Sequence, residues 1–239
     1  MGLSVGVLVI SSLYWEPDRQ QWRDTRLRME QAVDVSAPIR YGRISEGRGN
    51  TYTMVFSRRC AAGQAKAVPC QDSVRTPGDL VTEAEHLWAA EERTHRNGRI
   101  GKKWGCVTLL PNPQRNIPVE FRNAWAARIR TERHYGNIGQ AQGEGELVNK
   151  SGILQIAWPA LVADNTPVPL DLLLATATQP DLTGQPRTYA APETIAAAWR
   201  NDRQDNVRYF RNNVRDGIRT FEDEAIRASL EAKPAGKVE

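Results

Sequence analysis

Cysteine and histidine are scarce in this chain of 239 residues, and their scarcity excludes two classes of protein. The three cysteines, Cys60, Cys70 and Cys106, are odd in number and far apart, whereas a small secreted disulfide scaffold carries an even number of cysteines. The cysteines and the three histidines also form no C-x₂₋₄-C or H-x₃₋₅-H pair, which structural zinc sites use. We therefore expect reduced thiols and no metal site.

Long apolar runs and a strong charge of one sign are also absent. No run approaches the roughly 20 apolar residues that cross a bilayer, and MGLSVGVLVISS lacks the basic region and cleavage site of a signal peptide. The chain has 32 basic and 28 acidic residues, and this excess alone does not predict nucleic-acid binding. Apolar residues make up 40% of the chain, which is typical of globular proteins. These features predict a cytoplasmic protein with a sizeable core and no membrane contact.

Hydrophobic periodicity predicts an α+β protein. The continuous apolar run 5–10 indicates a strand covered on both faces, whereas the alternation over 51–57 indicates a half-buried strand. Helix patterns and further strand patterns follow along the chain. Strands are predicted at 5–10, 51–57, 63–69, 104–110, 153–158 and 170–177, and helices at 80–96, 121–133, 192–198, 207–221 and after Thr220. We expect a core over residues 1–115 and a C-terminal extension over 116–239, with further strands and helices packed on that core.

One carboxylate interrupts the apolar face of the helix at 80–96. At 100° per residue, Glu91 lies on the face that also carries Val81, Ala84, Trp88 and His95, whereas Glu83 falls off this face. A carboxylate is unexpected on a helix face that packs in the core, and exceptions of this kind concentrate at functional sites. Burial raises the pKa of a carboxylate toward the pH at which a general base works best. Glu91 is therefore a candidate base, and a structural ion pair with an arginine is the alternative.

Hydroxyl residues end the first predicted strand, in the stretch LVISSLYWEP at 8–17. Ser11 and Ser12 are either turn formers or part of a binding loop. A serine nucleophile is a further alternative, but the chain has no G-x-S-x-G elbow. The glycine-rich stretch 136–145 has no G-x-x-x-x-G-K-[ST] motif, so we expect a loop or hinge there, and no cofactor is predicted.

Two short motifs in the first 115 residues resemble those of the γ-glutamylcyclotransferase-like family. The stretch Ile10-Ser11-Ser12-Leu13 is similar to the family's Y-G-S-L loop, and Leu87-Trp88-Ala89-Ala90-Glu91 is similar to its L-D-x-x-E helix motif. GQAKAVP at 63–69 is similar to the glycine-containing strand between those motifs. Ile10, Ser11 and Trp88 stand where the family has tyrosine, glycine and aspartate.

The resemblance implies a fold and an activity. The fold would be a small mixed β-barrel flanked by helices, followed here by a largely helical C-terminal extension. The substrate would be a small amine- or amide-containing molecule of the γ-glutamyl type, held through backbone groups of Ser11, Ser12 and Leu13. Glu91 would be the general base, with Glu92 as its neighbour, and the substrate amine would attack its own γ-carbonyl to release 5-oxoproline.

A second hypothesis is a non-enzymatic binding or scaffold protein of a bacterial assembly. Arg208, Arg211 and Arg215 form a basic row beside the apolar stripe of the helix at 207–221. Such a row would contact a protein partner or nucleic-acid phosphates. Base stacking needs exposed aromatic rings, and Tyr209 is predicted to be the aromatic off the stripe.

Overall fold

The computed structural model describes residues 2–46, 49–96, 98–132, 138–200 and 207–232. Arg133 and the first residues of the glycine-rich stretch 136–145, which the sequence assigns to a helix end and a loop, lie outside the described residues. The described chain forms eight strands and six α-helices. In chain order they are β1 (Val5–Val9), α1 (Gln20–Arg26), β2 (Val33–Ala37), β3 (Ile39–Ser45), β4 (Thr51–Phe56), β5 (Gly63–Pro69), α2 (Pro77–Glu92), β6 (Gly101–Lys102), β7 (Gly105–Pro111), α3 (Val119–Arg130), β8 (Leu172–Thr178), α4 (Pro192–Arg200), α5 (Val207–Arg215) and α6 (Asp223–Glu231).

Six strands form one mixed sheet in the order β2-β5-β1-β8-β7-β6, and β3 pairs with β4 in a separate hairpin. β1 and β8 are parallel, with Val5 opposite Leu172, and the other strand pairs are antiparallel. The α+β prediction is therefore confirmed. The part of the chain that the structure describes contains an open sheet with β2 and β6 at its edges, and no closed barrel.

The two faces of the sheet are covered by different elements. Alternate residues of β1 and β8, such as Val7 and Leu174, pack with α2 and α3 in one core. Leu8 and Leu173 point the other way and pack with the β3–β4 hairpin and residues of α4, α5 and α6. Covering on both faces explains why β1 and β8 consist mainly of apolar residues.

The C-terminal half of the chain completes the sheet. β8 lies between β1 and β7, so the boundary expected at residue 115 does not divide the sheet. Gln64 of β5 and Arg219 also exchange two backbone hydrogen bonds, with N···O distances of 2.7 and 2.9 Å. Residues on both sides of position 115 therefore depend on each other for their backbone pairing.

Several predicted elements differ from the observed ones. β4 is buried along its whole length, and not on one face alone, because it contacts α4 as well as β8. The strand predicted at 153–158 is wrong, since only isolated bridges from Ile153 to Leu109 and from Leu154 to Val148 form there. α1, β2 and β3 were not predicted. None of the described helices is both long and apolar enough to cross a membrane.

Gly63 allows the backbone of residues 219–220 to approach β5. A Cβ atom at position 63 would overlap the carbonyl oxygen of Arg219. Gly63→Ala should therefore destabilise the fold by about 1–3 kcal/mol, the usual cost of overpacking. Urea denaturation measures this change in the free energy of unfolding.

Gly78 provides the matched control for that substitution. It lies in the first turn of α2, where an added Cβ would meet no atom closer than 3.6 Å. Gly78→Ala should stabilise the protein by about 0.4–1 kcal/mol, because alanine restricts the unfolded chain. Equal effects of the two substitutions would contradict the close approach at Gly63.

Candidate functional site

A cavity of about 380 Å³ lies at the carboxyl ends of β1 and β8. The two strands are parallel neighbours, so the segments that follow them leave the sheet at the same edge. Ser11 and Ser12 follow β1 and border the cavity, and Thr176 and Thr178 border it from the end of β8. Open α/β sheets commonly bind ligands in the crevice outside the carboxyl ends of such strands.

The loop after β1 is a tight turn. The amide of Tyr14 donates to the carbonyl of Ser11 (3.0 Å), and that of Glu16 donates to the carbonyl of Ser12 (2.9 Å). Ser11 is outside the left-handed region, so the turn does not need the glycine that the family motif carries. Leu13 does not border the cavity, because its side chain is buried in the core beside α2. The structure thus brings Ser11 and Ser12 to the cavity and leaves Leu13 outside it.

The C-terminal end of α2 forms the opposite wall. The helix begins with a capping box between Thr76 and Asp79 and ends at Arg93, whose backbone is left-handed (φ 55°). Glu91, Glu92 and Arg93 all border the cavity. Glu91 is half-buried and is one of the lining residues. The carboxylate that interrupts the apolar side of α2 therefore belongs to the wall of this cavity.

Two residues near α2 differ from the sequence prediction. His95, which was expected to share an interior face with Glu91, lies beyond the end of the helix and is exposed. Glu83, which was placed off the apolar face, is buried and forms an ion pair with Arg26. His95 is exposed because α2 ends before it. Glu83 is buried because α1 packs against α2.

Two buried oxygen atoms in the cavity wall have no donor or acceptor among the described residues. Glu92 pairs with Lys102 through Oε1, while its buried Oε2 accepts no hydrogen bond. Thr176 is 7% exposed, and its Oγ1 is also without a partner. Because an unpaired buried polar atom costs about 1–3 kcal/mol, atoms of this kind need an explanation, and a ligand that supplies the missing hydrogen bonds is one.

Three arginines give the cavity its positive charge: Arg19, Arg43 and Arg93. Arg93 is held by Glu16 at 3.2 Å and by Asp18 at 3.6 Å. Arg19 is buried and pairs with Glu16. Guanidinium groups bind carboxylates and phosphates through paired N–H donors, so this wall suits an anionic group.

Arg43 is aimed into the cavity by a β-bulge. The register of β3 against β4 shifts between Tyr41 and Arg43, and bulges of this kind redirect side chains. The guanidinium of Arg43 stacks 4.6 Å from the ring centre of Trp104. Trp104 in turn stacks on the buried Trp88, with ring centres 4.8 Å apart. The cation–π contact and the stacked rings fix the position of the charge.

Arg43 and Glu91 place opposite charges in the same cavity. Burial lowers the pKa of Arg43, and the negative charges of Glu91 and Asp181 act in the opposite direction. Arginine stays protonated under such conditions. The cavity therefore combines a fixed cation, a carboxylate and a set of hydroxyl groups, which suits a small ligand with both anionic and cationic groups.

Sequence reasoning missed Arg43 and Thr176. Arg43 lies in a stretch that lacks an obvious strand pattern, and a bulge leaves no clear signal in the sequence. Thr176 did carry a signal, since it is a hydroxyl residue near the end of the apolar strand LLLATAT, just as Ser11 follows the end of β1. A search for polar residues at the ends of apolar strands finds Thr176 as well as Ser11, but not Arg43.

The basic row predicted on α5 is exposed. Arg208, Arg211 and Arg215 all reach solvent, and Arg215 pairs with Asp216 at 3.0 Å. Tyr209, which was predicted to lie off the apolar stripe, is instead buried and borders the cavity, with its hydroxyl 3.4 Å from the amide of Met54. The face of α5 that carries the arginines therefore does not present this ring for stacking.

Neither a cluster of metal-ligating side chains nor a similar protein identifies what the cavity binds. Among the described residues, no group of three or more His, Cys, Asp or Glu side chains could hold a metal ion. Comparisons of the chain with protein-family models, curated proteins and solved structures found no match.

Proposed function

We propose that the cavity binds a small amine- or amide-containing substrate of the γ-glutamyl type and that Glu91 acts on it as a general base. The observation that carries this proposal is that Glu91 and the Ser11-Ser12 turn border the same cavity. These are the two motifs through which the sequence resembles the γ-glutamylcyclotransferase-like family. Ser11 and Glu91, which are 80 positions apart in the chain, both line this cavity, and this supports the proposal.

The charges of the cavity support a zwitterionic substrate. Arg43 and Arg93 offer donors to a carboxylate, as arginines do in many carboxylate sites. The unpaired Oε2 of Glu92 requires a hydrogen-bond donor, which a substrate ammonium or amide group supplies. Thr176 offers a further hydroxyl in the same wall.

The reaction would proceed by intramolecular attack. Glu91 accepts a proton from the substrate ammonium group, and the free amine attacks the γ-carbonyl carbon. A C–N bond forms in the new ring while the amide C–N bond to the leaving amine breaks. The proton held by Glu91 passes to the leaving nitrogen, which restores the carboxylate. The ring nitrogen gives its second proton to the released amine, so 5-oxoproline and an ammonium product leave.

We relate the fold to the same family. In this proposal the six-stranded sheet and the β3–β4 hairpin correspond to the family's small mixed barrel, and β4 contacts β8. A cytoplasmic location belongs to the proposal as well, because all three cysteines are free.

Replacing Glu91 by glutamine tests the general base. Glu91→Gln keeps the shape of the side chain and removes its basicity, so the release of 5-oxoproline from γ-glutamyl-alanine should fall by about 10²–10⁴-fold. Glu85→Gln, on the same helix but outside the cavity, is the control and should change the rate by less than about threefold. Activity of Glu91→Gln within threefold of the unmodified protein would contradict the assigned role.

Replacing Thr176 by valine tests the unpaired hydroxyl. Thr176→Val should leave the free energy of unfolding unchanged or raise it, because the lost hydroxyl has no partner in the protein. It should also raise KM for γ-glutamyl-alanine by about 2- to 10-fold, which corresponds to one neutral hydrogen bond. Urea denaturation and steady-state kinetics measure the two effects.

Thr108 is the matched control for Thr176. It is also a buried threonine in the sheet, but its Oγ1 donates to the carbonyl of Ala175 at 2.9 Å. Thr108→Val should lower the free energy of unfolding by about 1 kcal/mol and leave KM unchanged. A larger loss of stability in Thr176→Val than in Thr108→Val would show that the hydroxyl of Thr176 is satisfied within the protein.

The exposed row on α5 supports a second candidate function, binding of a protein partner or nucleic acid. Arg208, Arg211 and Arg215 are three to four residues apart and therefore share one face of the helix. Fluorescence anisotropy with single-stranded DNA and RNA would show binding that strengthens as salt is lowered. Replacing the three arginines by glutamine should abolish that binding, and undetectable binding at low salt would remove the nucleic-acid function.

A further inference from the structure

A second cavity, of about 600 Å³, lies away from the candidate site and shares no lining residue with it. It is bounded by the chain after β4 near Arg59, by the loop 141–144, by the turn 186–189 and by Phe221. Its volume is within the range of small-molecule sites. The glycine-rich stretch that was expected to be a loop thus contributes one wall of a cavity.

The positive charge of the second cavity is only partly neutralised. Three arginines border it, and Arg40 is paired with Glu222. Arg59 and Arg187 are exposed and form no ion pair with a described residue. Glu144 is the acidic residue in the wall, and its two carboxylate oxygens accept hydrogen bonds from other side chains. Two guanidinium groups are therefore available to an anion.

Aromatic rings border the same cavity. The guanidinium of Arg40 lies 4.2 Å from the ring centre of Tyr189 and 5.4 Å from that of Phe221. Phe221 is 44% exposed, although large apolar side chains are mostly buried in this protein. An exposed ring beside a guanidinium offers a surface on which a flat ligand ring can stack.

A buried hydrogen-bond network holds this wall in place. Glu144 is buried and accepts from Ser57 Oγ at 2.6 Å and from the hydroxyl of Tyr189 at 3.1 Å. Gly143 has a left-handed backbone (φ 83°), and a Cβ atom there would lie 3.3 Å from Nη1 of Arg59. The glycine therefore lets the loop pass close to Arg59.

The thiol in the cavity wall does not suggest covalent chemistry. Cys60 lies among the arginines, but burial raises its pKa to about 11. A thiol with such a pKa is largely protonated at neutral pH and is a weak nucleophile. The side chains of this cavity are thus suited to binding.

We propose that the second cavity binds a phosphate monoester that carries an aromatic ring. A phosphate monoester has a charge of about −1.5 to −2 at pH 7, which matches the two unpaired guanidinium groups better than a single carboxylate does. The phosphate contacts Arg59 and Arg187, and the ring stacks on Phe221. This site is independent of the proposed γ-glutamyl chemistry.

Adenosine 5′-monophosphate is the probe for this proposal, with adenosine and inorganic phosphate as its two halves. Isothermal titration calorimetry at low salt should show binding of the monophosphate, weaker binding of inorganic phosphate and weakest binding of adenosine. Arg59→Gln and Arg187→Gln should each weaken binding of the monophosphate by about 10- to 100-fold, as expected for a charge-assisted hydrogen bond. Phe221→Ala should weaken binding of the monophosphate and leave that of inorganic phosphate unchanged.

Two arginine variants serve as controls. Arg43→Gln removes a charge from the candidate site, and Arg211→Gln removes an exposed charge from α5, so neither should change the affinity for the monophosphate. The proposal is overturned if no binding occurs at millimolar concentration or if Arg59→Gln and Arg187→Gln bind as well as the unmodified protein. Loss of binding in Arg43→Gln alone would place the phosphate in the candidate site and would also overturn it.

Discussion

The parallel pairing of β1 with β8 is the contact on which the rest of the candidate site depends. The two strands are more than 160 residues apart in the chain, and they are the parallel pair of an otherwise antiparallel sheet. Their pairing brings the turn after β1 and the hydroxyl residues at the end of β8 to one edge. Without β8 in the centre of the sheet, Ser11 and Thr176 would not share a cavity.

The cavity at that edge is defined by charges held in fixed positions. Arg43 is oriented by a bulge and by the stacked rings of Trp104 and Trp88. Glu91 is oriented by α2, a helix with a capping box at its start. Charges that are already in place need little reorganisation when a substrate binds, which is how protein sites stabilise charge during a reaction. The fold therefore holds these charges in fixed positions, as the proposed function requires.

Sequence patterns predicted the elements whose hydrophobic signal is local. β5 has the predicted bounds, 63–69, and α2 and β7 differ from prediction by a few residues at their ends. β2 and β3 escaped prediction although their buried residues alternate with Asp34, Ser36 and Arg40, because the surrounding stretch is mostly polar and obscures the alternation. The place of β8 between β1 and β7 depends on long-range pairing, and no local pattern encodes that.

The residues of the candidate site, like the elements of the fold, were predictable only in part from the sequence. Glu91 and Ser11 could be selected from the sequence because each breaks a local apolar pattern. Arg43 depends on a bulge, so its role becomes visible only in three dimensions, whereas Thr176 carries a local signal as a hydroxyl residue near the end of an apolar strand. Leu13 is a different case, since the motif predicts a backbone contact with the substrate for a residue whose side chain packs in the core and which does not line the cavity.

The proposed function requires that Glu91 and the Ser11-Ser12 turn hold one small substrate between them. A crystal structure of the Glu91→Gln protein soaked with γ-glutamyl-alanine tests this most directly, because the uncleaved ligand can be located. We expect the ligand to occupy the cavity, with its amino nitrogen within about 2.6–3.2 Å of the side-chain amide at position 91. An empty cavity at saturating ligand, or a ligand bound away from position 91, would contradict the proposed role of Glu91.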